Sequence, residues 1–206
     1  MPGPSDGGVV HPMTLSIGID PGASGAIACY SGSSVTVVDM PTVRIKRGIR
    51  MVNHVSAEGL AALIRSCLAA YGVDPQDCEA FVEKVGAMPG QGVSSMFAFG
   101  RAAGVIEGVL AGVGIPCTLV TPQTWMGYMA LIKKGKDGTR AKAMALFPQC
   151  ANLYARKKDD GRADATMLVV YGYTRIPRGE QVIYSAMGDA DVYVESCLEK
   201  DAQAGI

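Results

Sequence analysis

The chain has 206 residues, 49% of them hydrophobic, with 19 Lys and Arg against 19 Asp and Glu. That length buries one core and leaves too little for a second large domain. No apolar run reaches the length of a membrane span, so a soluble protein without a membrane partner is expected.

The zero balance hides an uneven distribution. Between Lys133 and Lys158 eight basic residues stand against Asp137 alone, and Arg44, Lys46, Arg47 and Arg50 form a second basic cluster. From Glu180 onward, six acids stand against Lys200. A neutral protein arranged this way can hold a polyanion locally, although a solvated basic loop explains the charge equally well. The six cysteines (Cys29, Cys67, Cys78, Cys117, Cys150, Cys197) lack zinc-like spacing and mostly sit in apolar runs. Reduced thiols in a cytosol-like compartment are expected. Residues 1–13 are rich in Gly, Pro and Ser with no basic stretch leading into an apolar one, and read as a disordered leader rather than a signal peptide.

Thr14–Asp20 is a short apolar strand, and Gly25–Tyr30 its hairpin partner across the turn Pro21-Gly22-Ala23-Ser24. Ser34–Asp39 completes an antiparallel meander. Ser56 caps a helix to Tyr71, with Leu60, Leu63, Ile64, Cys67 and Leu68 at helical spacing. Glu79–Lys84 is the fourth strand. The glycine-rich Gly86–Gly92 leads into a long helix, Val93–Val113, whose Gly and Ala content suits burial in the core or packing on a second subunit. Ile115–Val120 is the fifth strand. A helical stretch Pro122–Leu131, a basic loop Lys133–Gly138 and a helix Thr139–Phe147 follow, the last stopped by Pro148. A helix from about Asp160 to Tyr173 closes a domain spanning 14–177, and 178–206 forms an appendage or tail.

Four acids stand where strands and helices stop. Asp20 ends the first strand and Glu83 the fourth, so a parallel or mixed sheet can bring both to one edge. Asp160 and Asp164 are four apart and project from one helix face. Each has a bland reading: Asp20 as a turn residue capping its own backbone, Glu83 as an edge residue paired with Lys84, and Asp159 or Asp160 as a helix N-cap. The cap does not explain Asp164, because like charges at i,i+4 repel unless a cation lies between them. A converging carboxylate cluster repels itself when ionised, and divalent cations relieve it. Room for two Mg²⁺ suits phosphodiester hydrolysis. His11 and His54 are too few and too poorly placed for a His-based zinc site, and no GxxxxGK[ST] phosphate loop exists. Trp125 and Tyr128 could stack on bases, although a lone Trp at helical spacing is more often core.

With these residues in view, the chain resembles RuvC-type Holliday junction resolvases of the RNase H-like superfamily, and phage, mitochondrial and chloroplast members more than the bacterial housekeeping enzyme. The resemblance runs from about Leu15 to Tyr173. It rests on Gly18–Ala28 (GIDPGASGAIA), Val82–Lys84 (VEK), Pro89–Gly92 (PGQG), Pro122–Trp125 (PQTW) and, most specifically, Lys157–Ala165 (KKDDGRADA). It implies an α/β, RNase H-like fold: a five-stranded mixed sheet, three antiparallel strands then parallel additions, flanked by helices. It also implies a homodimer that cuts four-way DNA junctions by paired nicking with two Mg²⁺ per site, Mn²⁺ substituting, and leaves 5′-phosphate and 3′-hydroxyl ends. Such an enzyme works in a cytoplasm, phage-encoded or bacterial, or inside an organelle.

Carried over residue by residue, Asp20, Glu83, Asp160 and Asp164 fall on the catalytic, metal-binding positions. The last two acids are spaced by three in the bacterial enzyme and by four here, or five from Asp159, so Asp159 and Asp160 both remain open, with helical geometry favouring Asp160. Gln91 falls in the loop that enters the junction in organellar members. Arg44, Lys46, Arg47, Lys133, Lys134, Lys136, Arg140, Lys157 and Lys158 are the expected DNA-phosphate contacts. Three other readings stand beside this one: a related nuclease acting on other branched or RNA-containing substrates, an actin-like sugar or acetate kinase, and a DNA-binding module without catalysis.

Overall fold

In a computed structural model, which describes residues 15–86, 90 and 92–175, β1 (Leu15–Asp20), β2 (Ala26–Tyr30) and β3 (Val35–Asp39) form the expected antiparallel meander. β6 (Cys78–Glu83) and β7 (Cys117–Val120) are added in parallel beside β1, giving the order β3-β2-β1-β6-β7. This is the mixed five-stranded sheet that the resemblance implied. The proposed leader, Gln91 and everything after Arg175 lie outside the described residues.

Strand alternation divides the molecule into two cores. Leu15, Ile17 and Ile19 of β1, with Cys78, Ala80 and Val82 of β6, pack against α1 (Ala57–Tyr71) and α2 (Val93–Val113). Phe81 and Ala28 face the other way, onto α3 (Pro122–Tyr128), α4 (Gly135–Leu146) and α5 (Asp160–Arg175). Residues alternate faces along a strand. Asp20 shares its parity with Gly18, and Glu83 with Phe81, so both acids belong to the α5 face. Gly18 lets α5 settle onto β1: a Cβ there would lie 2.3 Å from the Ala165 carbonyl oxygen.

Ser56 caps α1 as expected, its hydroxyl accepting from the Gly59 N–H at 3.0 Å. Four expectations are corrected. The Arg44–Arg50 cluster lies on a two-stranded hairpin, β4 (Thr42–Arg47) and β5 (Arg50–Val55), separate from the main sheet. The basic loop Lys133–Gly138 gives way at Gly135 to the first turn of α4. The fifth strand begins at Cys117, since Pro116 has no N–H to donate and gives only its carbonyl, which accepts from Ala80 at 2.8 Å. Finally, α2 is long and apolar enough by length and composition to cross a membrane. It is nevertheless docked through Ala102, Ala103, Ile106 and Leu110, while Val93 (78%) and Phe97 (74%) stay exposed.

Candidate active site

Parallel pairing sets the first two carboxylates side by side. Ile19 lies opposite Val82 in neighbouring strands, so Asp20 and Glu83 leave the same sheet edge together. Behind them stands Trp125, fully buried on α3, whose indole Nε1–H donates to Glu83 Oε2 at 2.9 Å. Thr121 starts α3 by accepting from the Thr124 N–H at 3.3 Å, which fixes the turn that presents Trp125.

α5 supplies the other two acids. Gly161 permits its first turn to touch the loop after β1: a Cβ there would lie 2.8 Å from the Ser24 carbonyl oxygen and 2.9 Å from Asp20 Oδ2. Asp164 is 3% exposed, whereas the Asp160 side chain is 32% exposed at the rim. Asp159 goes elsewhere. It is 2% exposed, accepts from the Arg156 backbone N–H at 2.9 Å and pairs with the Arg156 guanidinium at 2.8 Å, and its hydrogen bonds hold its carboxyl below the usual range. Asp159 therefore pins the turn before α5, and Asp160 is the one of the pair on the Asp20 side.

The four acids act on one another as a cluster. Burial, then the charges of Asp164 and Glu83 and, more weakly, Asp160, push Asp20 up to about 8, with Lys136 opposing. Burial also raises Glu83, with Asp164 adding to the rise while the Trp125 hydrogen bond and Lys136 hold it back. Asp164 is raised by burial against the pull of Lys136. The Lys136 ammonium, on the first turn of α4, hydrogen-bonds Asp164 Oδ2. Burial opposes its charge, but Asp164, Asp20 and Glu83 together raise its pKa. One turn later, Arg140 donates to Asp160 Oδ1, to Asp137 Oδ1 and to the Lys157 carbonyl.

This set fits a hard divalent cation in its chemistry. The donors are carboxylate oxygens only, the type that Mg²⁺ and Mn²⁺ take. Asp164 Oδ1 is buried with no hydrogen-bond partner, and a buried acceptor left bare is costly. As placed, no three acidic, imidazole or thiol groups among the described residues converge on one point closely enough to grip an ion. A protein cation, Lys136, stands among them instead. Its side chain is 57% exposed, so it can swing into solvent without disturbing the core.

The remaining expected residues are spread around this edge. Lys133, Lys134, Lys157 and Lys158 are exposed near the ends of α4 and α5, and Arg44, Lys46 and Arg47 are exposed on the hairpin. Arg140 is 9% exposed and engaged with acids, unlike the open lysines around it. Sequence reasoning missed the Trp125–Glu83 bond and the place of Lys136 among the acids. It also missed the pair between Arg162 and Asp39, at 2.6 and 2.7 Å, that ties α5 to β3. A cleft of about 360 Å³ lies between the Pro21–Ser24 turn, the end of β5 and α2, and none of the four acids lines it.

No protein-family model matches the chain. Among curated proteins it is 29% identical over 161 residues to the chloroplastic Holliday junction resolvase MOC1 of Chlamydomonas reinhardtii. That stretch covers 70% of this chain and 18% of the relative, so the chain spans under a fifth of the protein it matches. Thermus thermophilus RuvC in complex with a Holliday junction substrate superposes with a TM-score of 0.46 at 12% identity, over 77% of this chain and 91% of that one. The yeast mitochondrial Holliday junction resolvase Ydc2 superposes with a TM-score of 0.44 at 17% identity, over 80% of this chain and 79% of that one.

Proposed function

We propose that this chain is a RuvC-type, structure-selective endodeoxyribonuclease that resolves four-way DNA junctions by paired, metal-dependent nicking, leaving 5′-phosphate and 3′-hydroxyl ends. The observation that carries the reading is that β1, β6 and the first turn of α5 bring Asp20, Glu83, Asp160 and Asp164 to one sheet edge, with a bare buried oxygen on Asp164. The sequence similarity to a chloroplastic Holliday junction resolvase supports the choice of substrate.

Asp20, Glu83 and Asp164 would hold the cations, with Asp160 completing the set at the rim. Bound there, two Mg²⁺ (or Mn²⁺) would supply an acidified water and charge stabilisation at the leaving 3′-oxygen. The protein's part is positioning. Trp125 keeps Glu83 turned toward Asp20. Lys136 offsets the charge of Asp164, Asp20 and Glu83, and its exposed ammonium would be available to a bound phosphate. Lys133, Lys134, Lys157 and Lys158 lie around the site and bind flanking phosphates, as do Arg44, Lys46 and Arg47 on the hairpin, so binding weakens steeply with salt. These contacts place the DNA, and its branched shape supplies selectivity. Gln91, which follows β6 in the chain and lies outside the described residues, is the candidate for contact at the branch point.

Cutting two strands calls for two sites, and a homodimer supplies them. The open side of α2 supports this. Gly100, Gly104 and Gly108 lie one turn apart, and a Cβ built on any of them meets nothing within 4 Å; with the exposed Val93 and Phe97 they offer a flat apolar ridge to a second copy. All five described cysteines are unbridged, which suits a reducing cytosol or organelle interior.

The test is a synthetic four-way junction incubated with Mg²⁺ or with EDTA, beside duplex, fork and RNA–DNA hybrid. Symmetrical nicks in the junction alone, religatable and metal-dependent, support the reading. Cleavage of the hybrid in preference to the junction transfers the assignment to another RNase H-like nuclease, and no cleavage of any substrate leaves only DNA binding.

A further inference from the structure

We infer that the β4–β5 hairpin is an arm that enters DNA, with Ile49 at its tip wedging into a base step at the branch point while Arg47 and Arg50 hold the phosphates beside it. This rests on the nuclease reading above and adds to it a part with no role in holding metal.

The arm is rooted at the catalytic edge. Asp20 lies opposite Ala26, and Ala26 opposite Asp39, so the three form one row across the sheet. Asp39, fixed by Arg162, ends β3, and β4 begins three residues later. Six residues per strand give the ribbon a reach of about 20 Å, comparable to the width of a DNA duplex. Val55, at its base, is 9% exposed and belongs to the core beside α1 and α2, so the root is anchored while the rest projects.

Its composition points to a polyanion with an apolar interior. Residues 42–55 contain Arg44, Lys46, Arg47 and Arg50 and no acid. None of the four takes part in an ion pair among the described residues. The register sets Arg47 directly opposite Arg50, a like-charge pair that destabilises a bare ribbon and that an intervening phosphate resolves. Between them the turn is Gly48-Ile49, with Gly48 at a φ of 62°, and Ile49 is 99% exposed. Turn positions favour small polar residues, and Ile49 has no core to serve. Further down the ribbon Val43 (46%) and Ile45 (38%) are exposed on one face and Met51 (49%) on the other. Beyond that root the ribbon pairs with no further strand among the described residues, which leaves its outer length open to a partner. Apolar wedges are a recurrent means of opening base steps in DNA.

The experiment places 2-aminopurine at the branch point of a junction and adds the full chain in EDTA, so that binding is read without cutting. The wild type is expected to raise the fluorescence as the base unstacks. Ile49→Ala, at a position too exposed to affect folding, is expected to lose that rise and to slow Mg²⁺-dependent cutting by about tenfold or more, with junction affinity within about threefold of wild type. Ile49→Leu keeps both. Arg47→Ala/Arg50→Ala is expected to weaken junction binding and to flatten its salt dependence by about two phosphates. A wild type that gives no fluorescence rise overturns the inference, as does an Ile49→Ala protein that unstacks and cuts like wild type. So do hairpin variants that lose binding to phosphatidylserine vesicles while behaving normally on the junction. If the wild type unstacks the junction but cuts nothing, the nuclease reading fails and the arm stands.

Discussion

The indole Nε1–H of Trp125 and Oε2 of Glu83 are 2.9 Å apart, across a contact between a fully buried helix residue and the last residue of a central strand. The bond lowers the Glu83 pKa against the rise that burial imposes and fixes which way the carboxylate faces. Trp125→Phe is expected to lower stability by about 1–3 kcal/mol through lost packing and the lost bond. It is also expected to move the acid limb of the pH–rate profile upward, because Glu83 then stays protonated to higher pH. Thermal melts and a pH profile on junction substrate check both effects.

Lys136 stands among Asp164, Asp20 and Glu83 as the site's own cation. Lys136→Met is expected to destabilise the metal-free protein by about 1–2 kcal/mol, a value kept small because the lysine is largely exposed. The same change removes a competitor for the carboxylates, so Mg²⁺ binding tightens and its stabilising effect grows. Calorimetric titration and melts with and without Mg²⁺ read this independently of cutting.

Asp159 and Asp160 are adjacent in sequence and separate in role. Asp159→Asn is expected to lose the Arg156 pair and the turn it closes, costing about 1–2 kcal/mol while cutting persists. Asp160→Asn is expected to weaken the Arg140 pair, so its melting temperature also falls, but unlike Asp159→Asn it is expected to depress cutting. Reversal of the two phenotypes would exchange their assignments.

The pH dependence follows from Asp20. Its folded pKa, about 8, lies above the ordinary 3.8, so the folded metal-free protein holds a proton that the unfolded chain gives up. The stability this contributes is fully present below 3.8 and is lost as pH rises through about 8. Metal-free melting temperatures should therefore fall as pH rises from about 4 to about 8 and level off above that, and Mg²⁺ should reverse the loss. Metal binding near pH 7 should release protons, visible as a dependence of the titration heat on the buffer's ionisation enthalpy.

Much of this arrangement is legible in the residues themselves. The short apolar stretches Thr14–Asp20 and Glu79–Lys84 mark strands that carry an acid at or next to their ends, and Ser56 announces α1. The hairpin was hidden because Val43 and Ile45 alternate with Arg44 and Lys46 and its apolar residues bury almost nothing, so the stretch reads as a charge cluster. Gly135 and Gly138 suggested a loop, yet the turn that carries Lys136 is helical, held by the packing of Ala143 and Thr139 rather than by propensity. The Trp125–Glu83 bond joins residues 42 apart in the chain. No local pattern encodes such a contact; it appears only once β6 and α3 are packed together.

The central claim is that four separated acids form one metal-loaded cutting centre, and Asp20→Asn tests it most directly. Junction binding and Mg²⁺-dependent cutting should be measured side by side for wild type and variant. The account predicts that the variant binds the junction within about threefold of wild type and makes no cuts; a variant that cuts at the wild-type rate would contradict it.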